Sequence, residues 1–112
     1  MLFDRGVGDE LGVIRASDSM YEIIGGREKF FNSPYTFNNA VNKEDLDRFW
    51  AMFDQTNDYH TMGKCICRLE FPGRTIWADF KIRLLEKYVD HRVFFAVVDD
   101  ITDAMEAVVG TR

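Results

Sequence analysis

Cysteine is scarce in this 112-residue sequence, with Cys65 and Cys67 the only two. Two residues apart, they project from one face if the segment is a strand, as neighbours along one chain rather than across a pair. That arrangement is poor for a disulfide, and a reduced, cytoplasmic setting is expected. Long apolar runs are also missing. The longest, Val93-Phe94-Phe95-Ala96-Val97-Val98, is far too short to cross a membrane, so no membrane insertion is expected. No secretory leader is visible, because Met1-Leu2-Phe3 runs straight into Asp4-Arg5. Basic residues are not in excess: 14 Lys and Arg stand against 19 Asp and Glu, a net charge of −5. Nucleic acid is therefore not expected as the main partner, since phosphate binding needs a basic face. There is no internal repeat, low-complexity segment, Gly-rich phosphate loop, nucleophile elbow or paired metal-ligand spacing. His60, Cys65 and Cys67 are close in sequence but read as one loop His and two reduced core thiols, and His91 reads as exposed in a polar turn. No metal is expected.

The composition does support a packed domain. Apolar residues make up 46% and aromatics 14%, including ten Phe, while charged residues are at an ordinary 29%. The length suits one domain and not two.

Leu2 to Val7 and Leu11 to Ala16 read as two short strands joined by a hairpin turn at Gly8-Asp9-Glu10. Ser17-Asp18-Ser19 offers N-caps for a short helix, Met20 to Ile24, which Gly25-Gly26 stops; Ser19 with Glu22 fits a capping box. Arg27 to Asn32 adds another helical turn, ended by Pro34. The strongest helix prediction is Lys43 to Gln55. Asn42 is its expected N-cap, Glu44 and Asp45 fill the first turn, and Leu46, Phe49, Trp50 and Phe53 repeat at i, i+3, i+4 and i+7. Three strands follow. Met62 to Phe71 places Cys65, Cys67, Leu69 and Phe71 on one face, and Pro72-Gly73 turns the chain. Thr75 to Leu85 alternates most cleanly, with Ile76, Ala78, Phe80, Ile82 and Leu84 inward and Trp77, Asp79, Lys81 and Arg83 outward. Val93 to Ile101 is apolar on both faces, which predicts a mid-sheet strand covered on both sides. The class is α+β: a single antiparallel five-stranded sheet with short helices packed on one face.

The order of these pieces resembles a PAS domain, in the subgroup that precedes bacterial signalling outputs. Ser17 stands eight residues before Gly25, as the family's Asn or Ser stands before its helix-ending Gly. Val41-Asn42-Lys43-Glu44-Asp45 resembles the His-Pro-Glu-Asp stretch opening the long helix, with Asn42-Lys43 in place of His-Pro. Gly73 and Trp77 resemble the Gly-x-x-x-Trp hairpin, and Asp100-Ile101-Thr102 the Asp-Ile-Thr that ends the last strand. The Asn-Cys-Arg flavin signature of light-sensing relatives is absent, and the long helix carries no His for haem, so no cofactor is identified. The resemblance implies a sensory module over residues 1–102, with 103–112 starting a linker helix. Its implied partners are a second copy, a small ligand, and a C-terminal output domain such as a diguanylate cyclase or histidine kinase.

Three sets of residues are candidates. Asp100, Ile101 and Thr102 form the expected relay, with Thr102 or Asp103 capping the outgoing helix; Asp103-x-x-Glu106 has capping-box spacing. Trp77, Phe95 and Val97 form an expected interface on the open sheet face. Met20, Ile24, Phe30, Tyr35, Phe37, Phe49, Trp50, Phe53, Cys67, Leu69 and Phe80 surround a possible ligand cavity, with Ser17, Tyr35, Asn38, Asn39 and Arg68 as its polar groups. So many aromatics also fill a core by themselves, and the filled core is preferred. Two alternatives stand beside the sensor: a ligand-free dimerisation module, and a small α+β enzyme or carrier of apolar ligands. The enzyme needs a carboxylate in the apolar row, and Asp79 lies on the opposite face.

Overall fold

A β-strand buries every second residue when one face of its sheet is covered. Along Arg74–Lys87 the residues Ile76, Ala78, Phe80, Ile82 and Leu84 are all buried, while Lys81 and Arg83 are exposed. The computed structural model that shows this describes residues 1–6, 11–15, 37–71 and 73–110. Five strands run through it: β1 (Leu2–Arg5), β2 (Leu11–Arg15), β3 (Met62–Phe71), β4 (Arg74–Lys87) and β5 (Arg92–Asp100). They form one sheet in the order β2-β1-β5-β4-β3, with every neighbouring pair antiparallel. A 3-10 turn at Phe37–Ala40 and helix α1 (Leu46–Gln55) lie on the inner face, and α2 (Thr102–Gly110) follows β5. The expected helices at 20–24 and 27–32, the turn at 8–10 and the cavity residues Met20, Ile24, Phe30 and Tyr35 fall outside the described residues.

The last strand is central. β5 pairs with β4 on one side and β1 on the other, as its apolar run implied. The expectation that both its faces are covered is not met among the described residues. Phe94 and Ala96 are buried, but Phe95 and Val97 are 44% and 46% exposed. Period two sends these pairs to opposite faces, and α1 packs on only one of them.

The start of α1 also differs from the prediction. The helix begins at Leu46, with Asp45 as N-cap, instead of at Lys43 behind Asn42. Asn42 Oδ1 does accept the Glu44 N–H at 2.9 Å, and the Asp45 N–H donates to the Asn42 carbonyl at 2.9 Å. These bonds close a tight turn at residues 42–45. The i to i+4 ladder opens only when the Phe49 N–H reaches the Asp45 carbonyl.

Between α1 and the sheet the core is ring on ring. Phe3, Phe37, Phe49, Phe53, Phe80 and Phe94 are all fully buried. Edge-to-face pairs link Phe3 to Phe37 at 5.0 Å, Phe49 to Phe53 at 5.2 Å, Phe53 to Phe94 at 5.1 Å and Phe49 to Phe80 at 5.5 Å. Arg5, buried on β1, lies with its guanidinium 4.0 Å from the Trp50 ring and pairs with Asp54.

Two glycines have a physical reason to be glycine. Gly73 sits at φ 72° in the β3–β4 turn, where a Cβ would be strained. Gly63 lets β3 pass close to the end of α1: a Cβ there would collide with Thr56 Oγ1 and lie 2.9 Å from Ile82 Cγ1. Thr56 cannot readily yield, because its buried hydroxyl donates to the Met52 carbonyl at 2.7 Å. Gly63→Ala is therefore expected to destabilise the domain by about 1–3 kcal/mol, seen as a lower urea midpoint with an unchanged slope.

Candidate functional site

An acid at the first turn of a helix ordinarily faces the helix N–H groups. Asp45 does not: it makes no side-chain cap and turns to β3. Its carboxylate accepts the Arg68 backbone N–H at 2.8 Å, Arg68 Nε at 3.0 Å, an Arg68 terminal nitrogen at 3.0 Å and an Arg48 terminal nitrogen at 2.7 Å. Glu44 takes another Arg68 contact, and the Asn42 N–H donates to the Arg68 carbonyl at 2.9 Å. Asn42 also reaches Glu70 across the same edge. Asp45 is 3% exposed, and a buried carboxylate is tolerable only when its lone pairs are filled. The Arg68 hydrogen bonds, outweighing burial and aided by Arg48, pull its pKa from 3.8 to about 2.

Arg68 continues the line. Its guanidinium carbon lies 5.3 Å from the Trp77 ring, its register partner on β4. Trp77 in turn holds the end of β5. Its carbonyl accepts the Ile101 N–H at 2.9 Å, and its N–H donates to the Thr102 hydroxyl at 3.0 Å. The hydroxyl replaces a strand carbonyl at the residue where the chain turns into a helix. Thr102 then donates its hydroxyl and its N–H to Asp100 Oδ1. The Met105 N–H to Ile101 carbonyl bond, 3.0 Å, opens α2. Thr102 and Asp103, either of which the sequence predicts as the cap, both lie inside the first turn. Asp100 supplies the acceptor, because β5 must keep Ile101 in the ladder with Trp77 before the helix starts.

Asp45, Arg68, Trp77, Thr102 and Asp100 thus form one connected row from the entry of α1 to the start of α2. The sequence reading grouped Trp77 with Phe95 and Val97. The register places Trp77 four residues along β4 from Lys81, the partner of Val97. That is about 13 Å of strand. Phe95 and Val97 remain on the open face, with Leu2 beside Phe95 on β1. Arg68 is not a cavity group, since it lies on the outer side of the sheet edge, tied to Asp45. Asp45 itself was read only as a dipole partner. Only the positions of the two charges in space, and not their spacing of 23 residues, show that they belong together.

Of the described cavity candidates, Phe37, Phe49, Phe53, Cys67, Leu69 and Phe80 are fully buried, and Trp50 nearly so. They are packed on each other, and none lines a cleft of about 720 Å³ that lies instead between α1 and β3. Cys67, paired with the Cys65 sulfur and buried, is held as a neutral thiol. His60 is in an exposed loop. His91 is half-buried, contrary to expectation, because its ring stacks on Tyr88 at 4.4 Å and bonds to Asp90. No described helix is long and apolar enough to cross a membrane.

No family model and no curated protein sequence matches this chain. Among solved structures it is similar to an RNA-binding light-oxygen-voltage receptor, with a TM-score of 0.60 and 14% identity over 99% of this chain. The chain spans 35% of that receptor. At this identity the likeness concerns the fold alone. The fold is that of a PAS domain: an α+β unit with one five-stranded antiparallel sheet in the order β2-β1-β5-β4-β3.

Two outcomes follow for this row. Because the folded pKa of Asp45 lies below its unfolded value, its contribution is full above about pH 5 and is lost as pH falls through 3.8 toward about 2. Asp45→Asn should lower neutral stability and flatten the acid limb of a stability-against-pH curve by roughly 2 kcal/mol. Asp100→Ala should remove the acceptor at the start of α2. A loss of about 1 kcal/mol in that helix is expected, read as faster amide exchange at Thr102.

Proposed function

We propose that this chain is a PAS sensory and relay module. Its outer sheet face receives a second copy of the module, and its last strand passes the resulting change through α2 to a C-terminal output domain. The row from Asp45 to Asp100 carries this reading. It joins the edge strand, the penultimate strand and the start of α2 through hydrogen bonds and one cation–π contact, so a shift of the sheet bears on the bonds that begin the helix. Those bonds are few and local, and a cap that is made or broken is a two-state element of the kind a relay needs. The rest of α2 supports the same reading: Asp103, Ala104, Glu106 and Ala107 are all exposed, as suits a helix with further surface to offer.

A partner on the outer face is preferred to a small ligand in the core as the input. The described core is filled by aromatic rings, whereas Phe95 and Val97 stand nearly half exposed on the central strand. Apolar side chains in that position favour burial against another surface. The same observation supports a ligand-free dimerisation module, and the two readings part on whether occupancy of the face reaches Trp77. A signalling output such as a diguanylate cyclase or histidine kinase is the continuation that the family resemblance suggests.

The expected result is a concentration-dependent dimer that Phe95→Glu with Val97→Lys turns into a monomer in sedimentation analysis. Amide exchange at Trp77 and Ile101 should differ between dimer and monomer. A dimer that survives the double substitution removes the interface. A dimer lost with no change at Trp77 and Ile101 leaves a dimerisation module without a relay.

A further inference from the structure

The outermost strand is only partly closed. Within the sheet β3 pairs with β4, and along its other edge the described residues add one isolated bridge, Val41 with Leu69. The Trp77 N–H and C=O point toward the end of β5, and its partner Arg68 therefore points its own groups outward, where Asp45 and Asn42 take them. By the two-residue period, Ile66 and Lys64 direct their N–H and C=O to the same side. Among the described residues nothing accepts from or donates to them there. Beside this open stretch lies the 720 Å³ cleft. Its far wall is a stripe on α1, Arg48, Ala51, Met52 and Gln55, at i, i+3, i+4 and i+7. Its near wall carries Lys64 and Ile66, with Lys81 and Asp79 behind them.

From this we infer that the β3 edge at Met62–Ile66 binds an extended, acidic segment of a partner protein as an added strand. Backbone pairing accounts for the extended form, because a free edge offers a row of donors and acceptors that only another strand satisfies. Charge accounts for the chemistry. The lining sets Arg48, Lys64 and Lys81 against the carboxylate of Asp79, with Asp45 paired to Arg48 behind it, in a chain whose net charge is −5. Arg48 pairs with Asp45 yet keeps 59% of its side chain exposed. Alternate side chains of the added strand would lie beside Lys64 and Ile66 on the outer face, and the others would face Ala51, Met52 and Gln55. The site is short, since Asn42 and Asp45 close the edge at Arg68. The inference is independent of the relay: it concerns the edge of the sheet, not its face.

The test uses the whole chain and a fluorescein-labelled peptide of alternating Glu and Val, with alternating Lys and Val as its partner probe. Saturable binding in fluorescence anisotropy is expected for the acidic peptide, at least about tenfold tighter than for the basic one and weakened by salt. Amide exchange at Lys64 and Ile66 should slow on binding. Lys64→Glu with Lys81→Glu, both at exposed positions, should weaken the acidic peptide by about tenfold or more while circular dichroism stays unchanged. Phe95→Glu with Val97→Lys should leave peptide binding intact, which separates this site from the proposed dimer face. Equal affinity for both peptides, no saturation by about 1 mM, or protection that appears away from Lys64 and Ile66 would each overturn the inference.

Discussion

The bond between Asp45 and Arg68 is the constraint on which the arrangement of this domain rests. A carboxylate buried at the entry of α1 accepts one backbone N–H and guanidinium groups of two arginines. Burying it without them would cost several kcal/mol. The charge therefore fixes where α1 meets the edge strand. That in turn sets Phe49 and Phe53 against Phe80 and Phe94, closes one end of the β3 edge, and holds Arg68 over Trp77. Charge-assisted bonds of this kind are directional, which is why the tie positions as well as stabilises.

The two faces of the sheet do different work. The inner one is closed by interlocked aromatic rings, a packing that leaves little freedom. The outer one carries Phe95 and Val97 on a strand that is last in sequence and central in space, with Ile66 and Trp77 nearer the β3 edge among charged side chains such as Lys81 and Arg83. Being hydrogen-bonded on both sides, β5 cannot move without its neighbours. Its end is held by Trp77 and Asp100, a small set of bonds beside a large rigid body. That contrast between a stiff sheet and a lightly held helix start is the physical basis of the proposed relay.

How much was legible beforehand varied with the range of the interaction. The alternation in β4 and the helical period of Leu46, Phe49, Trp50 and Phe53 were readable because burial imposes a period on neighbouring residues. The central place of β5 followed from its apolar run. Other readings failed where a distant group competed with a local one. Local rules favour Asn42 as the helix cap, yet it closes the turn at 42–45 that precedes the helix. Trp77, Phe95 and Val97 all point outward, but register along the strands separates them. Arg68 is polar enough for a cavity group, but Asp45 holds it at the edge.

By itself, then, the amino-acid order determined the elements, their inner and outer residues, and the PAS-like succession of strands and helices, since each of these depends on side chains within a few positions of one another. The tertiary structure decided which charges meet and that Trp77 reaches Thr102 at the start of α2. Those outcomes depend on contacts between segments more than twenty residues apart, such as Asp45 with Arg68 and Trp77 with Thr102. Such partners are chosen by the packing of the sheet and α1 as a whole, and no local pattern in the chain records the choice.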